Sequence, residues 1–239
     1  MSLKGIIFDL GGTLMFSSPN LNTAVVKRME RLSSYISTYF PLPPDAPFAS
    51  DFLSEYAAAR QSALETSIEV PFIVTLKEVL ARYSTVALSD EYAHEFFAYE
   101  LTCWQPFPEA SSVLHQLVEN GFRLALLSNA PDSQLVSDLA SGFGFAECLA
   151  PIYSSACLGW RKPMKQPFLK IALEWNLSNS EVVVVGDSLS FDLMGARNAD
   201  MRCILTTEAT HGVISDDYTS HDVVISHISE LVHTLDIID

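Results

Sequence analysis

Short apolar runs that end in small or polar residues recur along the chain, at residues 5–10, 123–128, 182–187 and 202–206, with a weaker one at 222–226. Runs of this length, rich in Val, Ile and Leu, suit strands covered on both faces of a parallel sheet. Between them lie stretches of helical period. Residues 110–120 stop at Gly121, and residues 167–175 and 189–199 carry apolar positions at the same spacing. Strand and helix in alternation predict an α/β fold, a doubly wound, Rossmann-like parallel sheet with helices on both faces.

Residues 16–103 break that alternation. Val25, Met29, Leu32 and Ile36 share one helical face, Ile73, Leu76, Leu80 and Tyr83 share another, and no stretch reads convincingly as a strand. Pro41, Pro43, Pro44 and Pro47 must break the chain between helices. The chain then returns to the sheet through residues 105–108. The expected organisation is a core of residues 1–15 and 104–239, interrupted by a helical cap of residues 16–103. In open parallel sheets ligands gather beyond the carboxyl ends of the strands. Three separate strands end there in polar residues: Asp9, then Ser128 with Asn129, then Gly186 with Asp187 and Ser188.

Composition narrows the function. With 49% hydrophobic residues, the 239-residue chain can bury a core, which excludes wholesale disorder. Its 29 acidic residues against 14 basic, a net charge of −15, argue against nucleic acid or an anionic membrane as partner. Any pocket for a phosphorylated ligand must therefore concentrate its few cations locally. No segment approaches a membrane span, and the first apolar run is too short for a signal peptide. Cys103, Cys148, Cys157 and Cys203 are scattered without C-x-x-C spacing, so buried free thiols in a soluble, cytoplasmic protein are expected. The Asn176-Leu177-Ser178 sequon carries no weight without a secretion signal. Nothing in the sequence speaks to oligomeric state.

The strand-end residues suggest a chemistry. A carboxylate at Asp9, followed by Gly11, Gly12 and Thr13, stands beside a turn whose amides can approach an anion closely. Such a group can attack phosphorus as a nucleophile, or it can simply cap the turn. Asp187 and Asp192 offer oxygen ligands suited to Mg²⁺, though either could serve only as a helix cap. The Ser128 hydroxyl and the Asn129 amide can donate to phosphate oxygens, and both are also turn formers. Arg161, Lys162 and Lys165 gather positive charge next to the sheet edge. His115, His211, His221, His227 and His233 lack metal-ligand spacing. Trp104, Trp160 and Trp175 read as core or hinge aromatics, with Trp160 placed to edge a pocket.

In this order these residues resemble the haloacid dehalogenase superfamily, which consists mostly of phosphatases. Its first motif, D-x-D-x-[TV], is similar to Asp9-Leu10-Gly11-Gly12-Thr13. Its strand-ending Ser or Thr matches Ser128, its K-P lysine matches Lys162, and its G-D-x-x-x-x-D matches Gly186-Asp187 through Asp192. The helical insertion falls where the family places its type-1 cap. The resemblance implies a phosphatase for a small phosphorylated metabolite, with Asp9 as nucleophile and Mg²⁺ ligand. Thr13 and Ser128 would orient the reacting groups, Lys162 would offset charge, and Asp187 would bind Mg²⁺. Asp192 would bind it through water or hold Lys162 in place. The Gly11 carbonyl would complete the metal site, and Gly11, Gly12, Asn129, Ser128 and Lys162 would meet the substrate.

Gly11 is the departure. In the family the second aspartate protonates the leaving group and later activates water, help worth about 10²–10⁴-fold in rate. His94 and Glu95 are the acid–base groups of the insertion that could reach over. Two alternatives keep Gly11 as it is: a non-catalytic, phosphate-binding relative, and a metal-independent haloacid dehalogenase. Asp200 also departs, standing where related sequences often have Gly.

Overall fold

The computed structural model describes residues 2–19, 21, 24–40, 42–43, 45–85, 88, 91–210 and 223–238, with the side chains of residues 91–95 excepted. The chain opens with β1 (Gly5–Phe8) and β2 (Met15–Ser17), followed by α1 (Ala24–Tyr39), α2 (Phe48–Thr66), α3 (Phe72–Leu80) and α4 (Glu91–Leu101). It continues with β3 (Trp104–Pro106), α5 (Ala110–Glu119), β4 (Arg123–Ser128), α6 (Ser133–Gly142), β5 (Ile152–Ser154), α7 (Ser155–Leu158) and α8 (Gln166–Trp175). The last elements are β6 (Val182–Gly186), α9 (Met194–Asn198), β7 (Arg202–Thr206), β8 (Val223–Ile225) and α10 (Leu231–Ile238).

Six strands form one sheet in the order β5-β4-β1-β6-β7-β8, and every pairing is parallel. The expected α/β class is the observed one. Along β1, Ile6 and Phe8 point into one apolar layer and Ile7 into the other. The same alternation divides Val183 and Val185 from Val182 and Val184 in β6. Side chains of α5, α6 and α10 cover the first face, and those of α8 and α9 the second. A strand buried on both faces has no polar side, which is why these runs read as continuous apolar sequence. No helix among the described residues is long and apolar enough to cross a membrane.

The structure adds elements the pattern concealed. β5 is only three residues long, too short to show a period. The segments leading into and out of residues 16–103 pair as an antiparallel ribbon, β2 with β3, with Ser17 opposite Trp104. The helical faces are also turned slightly from expectation. Met29, Leu32 and Ile36 are buried in α1, but Val25 is exposed and Ala24 takes the inward position. In α3 the buried set is Phe72, Leu76, Val79 and Leu80, with Ile73 at its margin. The helices meet through aromatic rings, Phe72 lying 4.4 Å from Phe96, 4.9 Å from Phe97 and 5.4 Å from Phe52 between centroids.

Residues 189–199 do not form one α-helix. A π-helical turn at Leu189–Leu193 precedes α9. Asp200 adopts φ 55°, the left-handed region that favours glycine and tolerates Asp, which accounts for the position's preference in related sequences. The four cysteines are free, as expected, but only Cys103 is buried; Cys148 and Cys203 are partly covered and Cys157 is exposed. His211 and His221 lie outside the described residues, as do the side chains of His94 and Glu95.

Candidate active site

Asp9 follows directly on the central strand, and its N–H donates to the Val185 carbonyl at 2.9 Å, extending the ladder by one residue. The chain then turns tightly, with the Gly12 N–H donating to the Met15 carbonyl at 2.7 Å. Gly12 has φ +88°, and a Cβ there would lie 2.2 Å from Asp187 Oδ2, so only glycine lets this turn approach the neighbouring strand end. Thr13 Oγ1 is buried beneath the turn without a hydrogen-bond partner.

The next strand, β6, delivers Asp187. After it, the π-helical turn swings Asp192 back over Gly186, where a Cβ would sit 2.2 Å from Asp192 Cγ. The Ser188 hydroxyl caps this turn by accepting from the Phe191 N–H at 3.2 Å, and the Ser188 N–H donates to Asp192 Oδ2 at 3.1 Å. Lys162 enters from the loop before α8 and donates to Asp9 Oδ1 at 2.5 Å and to Asp192 Oδ1 at 2.6 Å. Asn129 holds that loop: its Oδ1 accepts from the Lys162 N–H at 2.9 Å, and its Nδ2 donates to the Lys162 carbonyl at 3.0 Å. Asn129 thus has a positioning task the sequence did not suggest.

Asp9, Asp187 and Asp192 each present a carboxylate oxygen within 4.8 Å of the others. Against these three acids the described residues supply one ammonium, that of Lys162. Burial raises the Asp9 pKa to about 6 even though Lys162 pulls it down. Burial, then repulsion from Asp9 and Asp192, raises Asp187 to about 7. Burial on its own would lower the Lys162 pKa, but Asp192 and Asp9 outweigh it, and the side chain stays an ammonium. Clustered hard oxygen donors with an excess of negative charge fit a divalent cation such as Mg²⁺.

A cavity of about 430 Å³ opens over this cluster. Asp9, Gly11, Ser128, Asn129, Lys162, Asp187 and Asp192 line its floor. Gly12 lines a neighbouring cavity, and Thr13 lines neither. The family model for haloacid dehalogenase-like hydrolases matches residues 3–200. The chain belongs to this family. A phosphoglycolate phosphatase of Cereibacter sphaeroides (strain ATCC 17025) is 27% identical over 237 residues, covering 96% of each chain. The crystal structure of a 2-haloacid dehalogenase from Pseudomonas syringae superposes with a TM-score of 0.67 at 25% identity, covering 98% of this chain and 99% of that one. A phosphatase of the family from Thermococcus onnurineus has the same fold, with a TM-score of 0.67 at 19% identity and 98% of both chains covered.

In this hydrolase the basic run at 161–165 is divided among three environments. Lys162 alone reaches the carboxylates, and Lys165 is exposed away from the cavity. Arg161 lines the cavity but donates to Glu69 Oε2. Trp160 does not line the cavity; it is half-exposed and bridges to Ile68. Trp104 does line it, together with Glu100 from α4. Sequence reasoning missed Glu69 and Glu100, whose partners lie far away in the chain. Glu69 also accepts from Arg60 and, at 2.6 Å, from the Ser155 hydroxyl. Glu100 accepts from Arg28, and burial raises its pKa against that pairing. Glu69 lies between α2 and α3 and Glu100 in α4, and neither position carries a local sequence signal.

Proposed function

We propose that this hydrolase is a Mg²⁺-dependent phosphatase for a small phosphorylated metabolite. The observation that supports it best is the clustering of Asp9, Asp187 and Asp192 beside a single lysine. Asp9, Asp187, Asp192 and the Gly11 carbonyl would hold the cation, which when bound supplies charge neutralisation to the incoming phosphoryl group. An Asp9 carboxylate oxygen attacks phosphorus, the ester oxygen leaves with the bonding electron pair, and an aspartyl-phosphate results. Water then attacks that phosphorus, loses its proton to solvent, and releases inorganic phosphate with Asp9 restored. Lys162 keeps Asp9 ionised and in place, while the Ser128 hydroxyl meets the phosphoryl oxygens. Thr13, with its hydroxyl unpartnered, steadies the nucleophile. Helices α1–α4, within residues 16–103, act as the cap over residues 1–15 and 104–239. The likeness to the C. sphaeroides phosphatase favours a phosphate ester over a haloacid.

With Gly11 in place of an acid, substrates with good leaving groups are turned over best. The test is phosphate release from p-nitrophenyl phosphate and acetyl phosphate, with Mg²⁺ and with EDTA, for wild type and Asp9→Asn. Release that needs both Mg²⁺ and Asp9 is the expected result; silence in every arm would sink the reading. A second reading, metal-independent dehalogenation by attack of Asp9 on carbon, draws on Gly11 and on the likeness to the P. syringae enzyme. It leaves the surplus of carboxylates without a purpose, and halide release that persists in EDTA would establish it. Binding of phosphate without turnover of any substrate would point instead to a non-catalytic relative.

A further inference from the structure

Position 11 is not open space. A Cβ built on Gly11 would lie 3.2 Å from Trp104 Cη2 and 3.3 Å from Trp104 Cζ3, tighter than an ordinary carbon contact. The indole therefore fills the volume that a side chain at 11 would enter. Trp104 is held there by its strand, with β3 paired to β2. The ring also divides two cavities: Gly11, Trp104 and Asp187 line both the 430 Å³ cavity over Asp9 and a second of about 480 Å³ on the far side, which reaches Phe16, Phe107 and Glu208. The indole N–H is buried with no well-formed hydrogen bond, yet close enough to the Glu100 carboxylate to favour its charged form. The rest of the first cavity's lining is mixed: Met15, Leu135, Val136 and Leu139 give an apolar stretch, and Glu100 and Arg161, paired with Arg28 and Glu69, also line it.

We propose that Trp104 is the specificity-determining residue of this site, and that it selects phosphate esters of aromatic alcohols by stacking on the departing ring. This rests on the phosphatase reading above. Two independent needs converge on that class. A phenol, with a pKa of about 10, leaves as its own anion far more readily than an alkyl alcohol near the roughly 16 of water, so it does without the acid absent at 11. A flat apolar leaving group also matches the indole and the aliphatic stretch of the lining, where the charged side chains, Glu100 and Arg161, already have partners of their own. When the phosphorus–oxygen bond breaks, the phenoxide takes the electron pair and picks up a proton from water as it leaves.

The experiment compares kcat/KM for phenyl phosphate and 2-phosphoglycolate, with Mg²⁺, in wild type, Trp104→Phe, Trp104→Ala, Gly11→Asp and the double variant Gly11→Asp/Trp104→Ala. Calorimetry with phenylphosphonate and methylphosphonate reads the platform without turnover. Trp104→Ala is expected to lower the ratio of kcat/KM for phenyl phosphate over 2-phosphoglycolate about three- to tenfold, while Trp104→Phe retains most of the preference. Gly11→Asp alone gains nothing on phosphoglycolate, because its Cβ meets the ring, and the double variant does gain. Equal losses on both substrates in Trp104→Ala, or a gain from Gly11→Asp alone, would overturn the inference and leave the phosphatase reading standing. If no variant releases phosphate from either ester, the phosphatase reading falls instead. Calorimetry then decides for the platform alone: tighter phenylphosphonate binding that Trp104→Ala abolishes supports it, and equal binding of the two phosphonates ends it.

Discussion

At the strand ends, Asp9, Asp187 and Asp192 lie together and Lys162 donates to Asp9 and Asp192; on the helical side of the same cavity, Glu69 and Glu100 are paired with Arg28, Arg60 and Arg161. Both clusters are buried, and both join residues far apart in the chain. In the second, three guanidiniums face two carboxylates, and no carboxylate is left unpaired. Each Glu accepts from at least one guanidinium, Arg28 also lies 5.1 Å from the centre of the Phe96 ring, and Tyr56 sits among the charges with its pKa pushed by burial to about 12. The first is short of positive charge by two. A cluster in which every carboxylate has its cation reads as structure, and one with more carboxylates than cations reads as a place for something the chain does not supply. Glu69 also ties the helices to the core, through Ser155 and Arg161 and through its own N–H to the Gly159 carbonyl at 2.9 Å.

The sharpest way to break this contrast is at the nucleophile. Asp9→Asn keeps the shape of the strand-end cluster and removes the attacking oxygen. Phosphate release should fall by about 10³-fold or more, measured as steady-state kcat with Mg²⁺ saturating. A variant that keeps a tenth of wild-type activity would show that Asp9 is not the group that attacks.

The helical cluster should respond in stability. Glu69→Ala strands Arg60 and Arg161 without their acid, which costs about 3–5 kcal/mol. For a chain of this size that corresponds to a Tm lower by roughly 6–20 °C. An unchanged Tm would mean that water replaces the carboxylate freely and that the tether is not structural.

How much of this was legible in the sequence follows the same division. The strands betrayed themselves because a doubly covered strand must be apolar throughout, and the polar residue that ends it stands out. Asp9, Ser128 and Asp187 were visible for that reason. Lys162 was visible only as one of three basic neighbours, and the sequence could not say that Asn129 would fix its backbone while Arg161 turned to Glu69. β5 and the β2–β3 ribbon were hidden because three-residue strands carry no period. Trp104 could be placed at the hinge, but that its ring lies against Gly11 depends on the pairing of β2 with β3, which no local pattern encodes. Residues 189–199 read as a helix because a π-helical turn keeps nearly the same apolar spacing.

Removing an acid should have the opposite sign in the two clusters. Where Glu69→Ala destabilises, Asp187→Asn takes a carboxyl away from the cluster with too many. The metal-free protein should gain on the order of 2 kcal/mol at pH 8, seen as a higher Tm in EDTA, and should lose its response to Mg²⁺. A lower Tm in EDTA would mean that the Asp187 carboxylate is held by partners that stabilise it, and that surplus charge does not govern the cluster.

The smallest effect tests the imbalance without a mutation. Asp9 is raised from 3.8 to about 6 and Asp187 from 3.8 to about 7 by burial and mutual repulsion. A raised carboxyl means that the folded chain keeps protons the unfolded chain has already released. The site's contribution to stability is therefore full below about pH 4 and is lost as pH rises from about 4 to about 7, the reverse of a salt-bridged carboxylate. A divalent cation competes with those same protons. At pH 8 the carboxylates are ionised, and Mg²⁺ at about a hundred times its Kd should add roughly 2.7 kcal/mol. At pH 5 it must displace protons from Asp9 and Asp187, and the gain should nearly vanish. Thermal melts with Mg²⁺ and with EDTA at the two pH values measure the difference directly. Mg²⁺ shifts of equal size at pH 5 and pH 8 would place the cation elsewhere, because no ligand with a pKa near 7 binds metal indifferently across that range.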